Sequence, residues 1–151
     1  TRLPDIPTAQ LEANQYMFFV DDSVVARKEI AGLLDKMGIK YQQANNGREA
    51  WDRLQVLASR NFDEGESLQD YLKIILVDAE MPEMDGYEAT RRIRAARKSY
   101  SEIPIIAMTA NAVKAEVEKC FECGMNDYIS KPFVPENLLS KINNALKIPT
   151  S

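Results

Sequence analysis

The sequence predicts an α/β fold: a doubly wound, five-stranded parallel sheet with five helices spread over both faces. Three observations predict it. Five short apolar runs alternate strictly with five amphipathic stripes, and the 151 residues match one ordinary domain. Polar residues fall at the ends of the apolar runs, where open parallel sheets place their ligand sites.

Residues 1–15 carry Pro4 and Pro7 without a period and read as a linker or arm. Tyr16 to Val20 is an apolar run bounded by acids, a buried first strand. Ala26, Ile30, Leu33, Leu34 and Met37 have the spacing of a helical stripe, stopped at Gly38. Ile39 to Ala44 is a weaker second strand, Asn45-Asn46-Gly47 a turn, and Ala50, Leu54, Leu57 and Ala58 a second helix.

Residues 60–70 form an unusually long polar connection. It leads into a third strand, Leu72 to Val77, running into Asp78. Pro82 and Gly86 punctuate the next loop, and Ala89, Ile93 and Ala96 mark a third helix. Ile103 to Met108 is the fourth strand, while Val113, Val117, Cys120 and Phe121 give a fourth helix closed by Gly124. Asp127 to Ser130 is a short fifth strand. Pro135 suits a helix first turn, with Leu138, Ile142, Ala145 and Leu146 as its stripe. One domain over residues 16–147 is expected, with 148–151 as a tail.

Composition narrows the function. Hydrophobic residues at 45% and charged residues at 28% are the balance of a folded, soluble chain. A net charge of −4 gives no excess of cations for direct nucleic-acid binding. The absence of His excludes His-based metal sites and His-dependent nucleophiles. No apolar run is long enough for membrane insertion, and no signal-peptide pattern opens the chain, so a cytoplasmic location is expected. Cys120 and Cys123 lack the further ligands of a closed zinc site and read as small helical side chains in a reducing compartment.

The chemistry collects at one rim. Asp21 and Asp22 follow the first strand, Asp78 ends the third, Thr109 ends the fourth, and Lys131 follows the fifth. Carboxylates gathered there repel by about 4 kcal/mol per pair at ~4 Å and an effective dielectric near 20. They must protonate, bind a cation, or sit beside Lys131. All-oxygen ligation selects a hard ion, Mg²⁺ or Mn²⁺. Such a site suits phosphoryl chemistry, with a carboxylate attacking phosphorus while Lys131 and Thr109 stabilise its oxygens.

Each residue alone has a plainer reading. Asp22 or Ser23 can cap a helix, Asp78 can be a turn acid, Thr109 an N-cap, and Lys131 a solvated loop charge. Those readings must be invoked independently, whereas one phosphoryl site explains the set.

Val20-Asp21-Asp22-Ser23, Asp78 to Gly86, Thr109-Ala110 and Lys131-Pro132 together resemble a two-component response-regulator receiver domain, over roughly residues 16–147. The resemblance implies the flavodoxin-like strand order 2-1-3-4-5, for which a chemotaxis receiver is a standard example. It implies Asp78 as acceptor of a phosphoryl group from a phosphohistidine on a sensor histidine kinase or phosphotransfer protein. Asp21, Asp22, Asp78 and the backbone carbonyl of Glu80 would hold Mg²⁺, and Thr109 and Lys131 would contact the phosphoryl group. Thr109 and Tyr128 would form the switch, acting on the surface of the fourth helix, fifth strand and fifth helix. Tyr128 also has a packing reading, as a partly buried aromatic beside a strand. The Glu80 side chain is expected to alter the dephosphorylation rate.

The first half is similar to receivers of chemotaxis coupling proteins, the second, from Tyr87 to Arg94 and Asp127 to Phe133, to those of hybrid histidine kinases. Opening on Thr1 with a proline-containing arm, the chain reads as part of a larger multidomain protein. Two rivals stay open: a docking module of the same fold that never phosphorylates, and an aspartyl-nucleophile phosphatase. The second wants an Asp-x-Asp pair after strand one, whereas Asp21 and Asp22 are adjacent.

Overall fold

β1 (Tyr16–Val20) lies between β2 (Lys40–Ala44) and β3 (Leu72–Asp78), parallel to both, and is buried from Met17 to Val20. β4 (Ile105–Thr109) and β5 (Asp127–Ser130) extend the sheet beyond β3, giving the order β2-β1-β3-β4-β5. This computed structural model describes residues 11–82, 84–132 and 134–147. The first ten residues of the expected arm and the 148–151 tail lie outside them.

Alternation along the strands divides the core into two layers. Phe18, Val20, Ile75, Val77 and Ala107 point to one face, where α2 (Gly47–Ala58), α3 (Gly86–Ala95) and α4 (Lys114–Glu122) supply Leu54, Ile93 and Cys120. Met17, Phe19, Ile74, Leu76 and Met108 point to the other, against Ile30 and Leu34 of α1 (Val24–Lys36) and Leu138 and Ile142 of α5 (Pro135–Leu146). Each such buried aliphatic side chain contributes about 2 kcal/mol of transfer free energy. Direction along the sheet reverses between β1 and β3, so the crevice forms at their carboxyl ends.

The observed elements depart from the expected ones locally. β4 begins at Ile105, not Ile103, because Pro104 has no N–H for the ladder; its carbonyl accepts from Ile75 N at 2.9 Å. Gly86 is not only loop punctuation but the first residue of α3, behind the Asp85 N-cap. On α4, Val113 and Phe121 are exposed, and the buried face is carried by Cys120 with Cys123 and Met125 beyond it. Both cysteines are buried free thiols, and Cys123 Sγ lies 3.1 Å from the Cys120 carbonyl.

The long 60–70 connection is built rather than slack. Phe62 stacks on Tyr71 with ring centroids 5.7 Å apart, and the Tyr71 hydroxyl donates to Glu66 at 2.5 Å. A short 3-10 turn, Leu68–Asp70, buries Leu68, and the Asp70 carboxylate accepts from Ser67 N at 2.8 Å.

Candidate functional site

Asp21 leaves β1 fully buried, and its backbone and side chain are both tied down. Its Oδ1 accepts from Ser23 N at 2.9 Å, and its carbonyl accepts from the Arg27 guanidinium at 2.7 Å. The plainer reading of Ser23 also holds: its hydroxyl caps α1 by accepting from Ala26 N at 3.2 Å. Asp22 does not serve as that cap and stays exposed at the rim.

Asp78 ends β3 and is buried, its Oδ1 accepting from Glu80 N at 3.2 Å. Lys131, just after β5, spans the rim: its ammonium lies 2.6 Å from Asp21 Oδ2 and 3.4 Å from Asp78 Oδ2. It is therefore not a solvated loop charge. Carboxylate oxygens of Asp21, Asp22 and Asp78 all lie within 4.8 Å of one another.

These distances account for the electrostatics. Burial first, and then the Asp21 charge, push the Asp78 carboxyl up to about 7, against the opposing pull of Lys131 and the Glu80 N–H. Burial alone would lower the Lys131 ammonium, but its bonds and attraction to Asp21 and Asp78 outweigh that and hold it above its ordinary value. Three carboxylate groups facing one cation leave an excess of negative charge. An all-oxygen donor set of this kind fits a hard divalent ion such as magnesium.

Thr109 ends β4, one position beyond the Asp78↔Met108 pairing. Its hydroxyl caps no helix; it accepts from Asn111 N at 3.1 Å and sits 3.2 Å from the Asn111 carbonyl. Tyr128 is half-buried opposite Ala107, edge-on to Phe121 at 6.5 Å, with the Lys141 ammonium 4.9 Å from its ring centroid. The Glu80 side chain is exposed. Beside Lys131, a cavity of about 210 Å³ opens between α1 and the β5–α5 connection, lined by Ala26, Glu29, Ile30 and Pro132.

Two contributors escaped the sequence reading. Arg27, one turn into α1, carries no motif signal, because its target is a backbone carbonyl. Gly86 was visible as a glycine, but not its reason: a Cβ there would lie 2.4 Å from the Asp78 carbonyl oxygen.

The response regulator receiver domain family matches residues 17–143. The chain is 38% identical to a probable histidine kinase 4 of Oryza sativa, the match covering 84% of this chain but only 13% of that protein. It is 37% identical to a chemotaxis CheY homolog of Campylobacter jejuni, covering 86% of this chain and 91% of the homolog. Among solved structures, Vibrio cholerae CheY4 superposes with a TM-score of 0.74 at 27% identity, over 89% of this chain and all (100%) of that one. The receiver domain of a Pseudomonas aeruginosa sensor histidine kinase, solved with magnesium in its active-site cleft, gives 0.70 at 32% identity, covering 89% and 98%. With this strand order, this acidic rim and a match spanning most of its length, the chain belongs to the response regulator receiver domain family, a component of two-component signalling.

Proposed function

We propose that this receiver accepts a phosphoryl group on Asp78 from a phosphohistidine of a sensor histidine kinase or phosphotransfer protein. The observation carrying the proposal is the shared Lys131 ammonium, 2.6 Å from Asp21 and 3.4 Å from Asp78, beside a third carboxylate. An Asp78 oxygen attacks phosphorus, the histidine N–P bond breaks, and its electron pair stays with the imidazole nitrogen. Lys131 then donates to a phosphoryl oxygen. Thr109 exchanges its local contacts with Asn111 for another.

Asp21, Asp22, Asp78 and the Glu80 carbonyl are the residues that would hold magnesium. When bound, the ion supplies positive charge toward the oxygens on phosphorus. Movement of Thr109 frees Tyr128 to turn inward, and Tyr128 already touches Phe121 of α4 and Lys141 of α5. The α4-β5-α5 surface is thereby remodelled for a downstream partner. The domain catalyses only its own phosphorylation and slow dephosphorylation, the latter tuned by the exposed Glu80. Residues 16–147 are the working unit, in a larger cytoplasmic protein.

Intact mass after incubation with a small acyl phosphate tests this, with and without Mg²⁺ and beside Asp78→Asn. One Mg²⁺-dependent phosphoryl adduct, lost in the variant, is expected. Folded protein that takes no adduct with Mg²⁺ present overturns the reading in favour of phosphate-independent docking.

A further inference from the structure

We infer that Gly47, on α2 and outside the acidic rim, is a positioning residue for the metal site, because its lack of a side chain seats the β3–α3 loop; the inference rests on the magnesium-dependent reading above. A Cβ at Gly47 would lie 2.1 Å from the Met84 carbonyl oxygen and 2.9 Å from its carbonyl carbon. No real Cβ approaches backbone so closely, so α2 and the loop meet here only because residue 47 is glycine. Backbone freedom is not the reason, since Gly47 is not among the glycines with positive φ.

The contact bears on Glu80 because the loop is short and pinned. At its far end Gly86 N donates to the Ala79 carbonyl at 3.1 Å, and Met84 N donates to the Pro82 carbonyl at 2.8 Å. Met84 is buried, while Glu80 and Pro82 are exposed. Glu80 stands between Asp78, which the strand holds, and Met84, which Gly47 holds. Its N–H already bonds the Asp78 carboxylate at 3.2 Å.

A methyl group at position 47 therefore demands that one side retreat by roughly 1 Å, enough to spoil a ligand geometry. The loop gives way rather than the helix. α2 is anchored by buried Leu54 and Leu57, and its start is fixed by the Asn46 carboxamide, which accepts from Glu49 N at 2.8 Å. Displacing the loop moves the Glu80 carbonyl and N–H away from Asp78, with no change in any side chain of the rim.

The test is calorimetric titration of the full chain with Mg²⁺ alone, for wild type, Gly47→Ala and Gly32→Ala, alongside thermal unfolding. Gly32 lies in α1 with nothing within 4 Å of an added Cβ, so it reports the generic effect of a helical Gly→Ala change. Gly47→Ala is expected to weaken Mg²⁺ about tenfold, the usual cost of disturbing a ligand's support, and Gly32→Ala to leave affinity unchanged. A purely structural role would lower the melting temperature without moving Mg²⁺ affinity, and that result overturns the inference. Should Gly47→Ala not fold, the wild-type amide resonance of Gly47 decides: it is expected to shift on Mg²⁺ addition, and a fixed resonance overturns the inference. Wild type that takes up no Mg²⁺ overturns the metal reading itself, whereas wild type that binds and Gly47→Ala that binds equally well overturn this inference alone.

Discussion

The Lys131 ammonium and the Asp21 carboxylate meet at 2.6 Å across 110 residues of chain, at the point where β1 and β5 both deliver their last residues to the rim. Asp21 is fully buried, so its charge has little water to fall back on when the partner is removed. Lys131→Ala is expected to cost about 2–3 kcal/mol at neutral pH, chiefly through the carboxylate left behind. Adding Asp21→Asn to Lys131→Ala should recover most of that loss. Denaturant melts of the four proteins in the cycle measure it; a double-variant loss equal to the sum of the two single-variant losses would show that the pair is not coupled.

Asp78 gives a pH signature of its own. Its folded pKa is raised to about 7 from an ordinary 3.8, so between those values the native state keeps a proton that the unfolded state has lost. Stability from this group is therefore greatest at low pH and falls as pH rises through that window, levelling off above it. Asn resembles the protonated carboxyl at every pH. Without metal, Asp78→Asn should match wild type in Tm near the lower end of the window and exceed it above the upper end. A gain that does not vary with pH would mean that Asp78 titrates as an ordinary carboxyl.

Most of the fold is legible in the sequence, because short apolar strands and 3.6-residue stripes report burial directly. Phe18 and Phe19 go to opposite layers as strand alternation requires, and Ile30 and Leu34 face the sheet as helical spacing requires. The failures have local causes. Val113 and Phe121 fit a helical stripe by spacing, but α4 lies on the sheet through Cys120, and Phe121 is left to meet Tyr128 from outside. Pro104 trims β4 through a missing donor that hydrophobicity cannot report. At the site, Asp21, Asp78 and Lys131 are legible because several strands end in charged groups on one rim, a concurrence that separate structural uses would not produce. The seating of their loops is not. Arg27 works on a carbonyl and Gly47 by having no side chain, so neither carries a chemical label.

Magnesium should stabilise the folded domain, since the three clustered carboxylates exist as a set only in the native state. At a free concentration a hundredfold above its dissociation constant, the increment is about 2.7 kcal/mol, removed again by a chelator. Binding competes with protonation of Asp78, so the increment shrinks as pH falls below about 7. Asp21→Asn and Asp22→Asn should each reduce it at constant pH. Thermal melts across pH with and without Mg²⁺ are the measurement, and an increment equal in wild type and both variants would place the ion elsewhere.

Arg94 presents the same physics without any part in the rim. From α3 its guanidinium donates to the carbonyls of Gly124 at 2.9 Å, Ser101 at 2.8 Å and Ile103 at 2.8 Å, and to the Asn126 side chain at 2.7 Å. The same Asn126 oxygen accepts from Ile105 N at 2.8 Å. One side chain thus joins α3, the connection to β4, the end of α4 and the entry to β5. Burial lowers its pKa, but a guanidinium remains charged throughout the accessible range. Arg94→Ala strips several carbonyls of their charged donor at once, and the loss is expected near 3 kcal/mol, or roughly 10 °C in Tm. Arg94→Lys should recover less than half, since a single ammonium cannot fork to four acceptors. The relevant contrast is with phosphorylation: initial adduct formation from the acyl phosphate should persist in Arg94→Lys below its melting temperature, because none of these bonds touches Asp78. Loss of both stability and adduct in a folded Arg94→Lys would mean that the position of α4 controls the reactivity of Asp78.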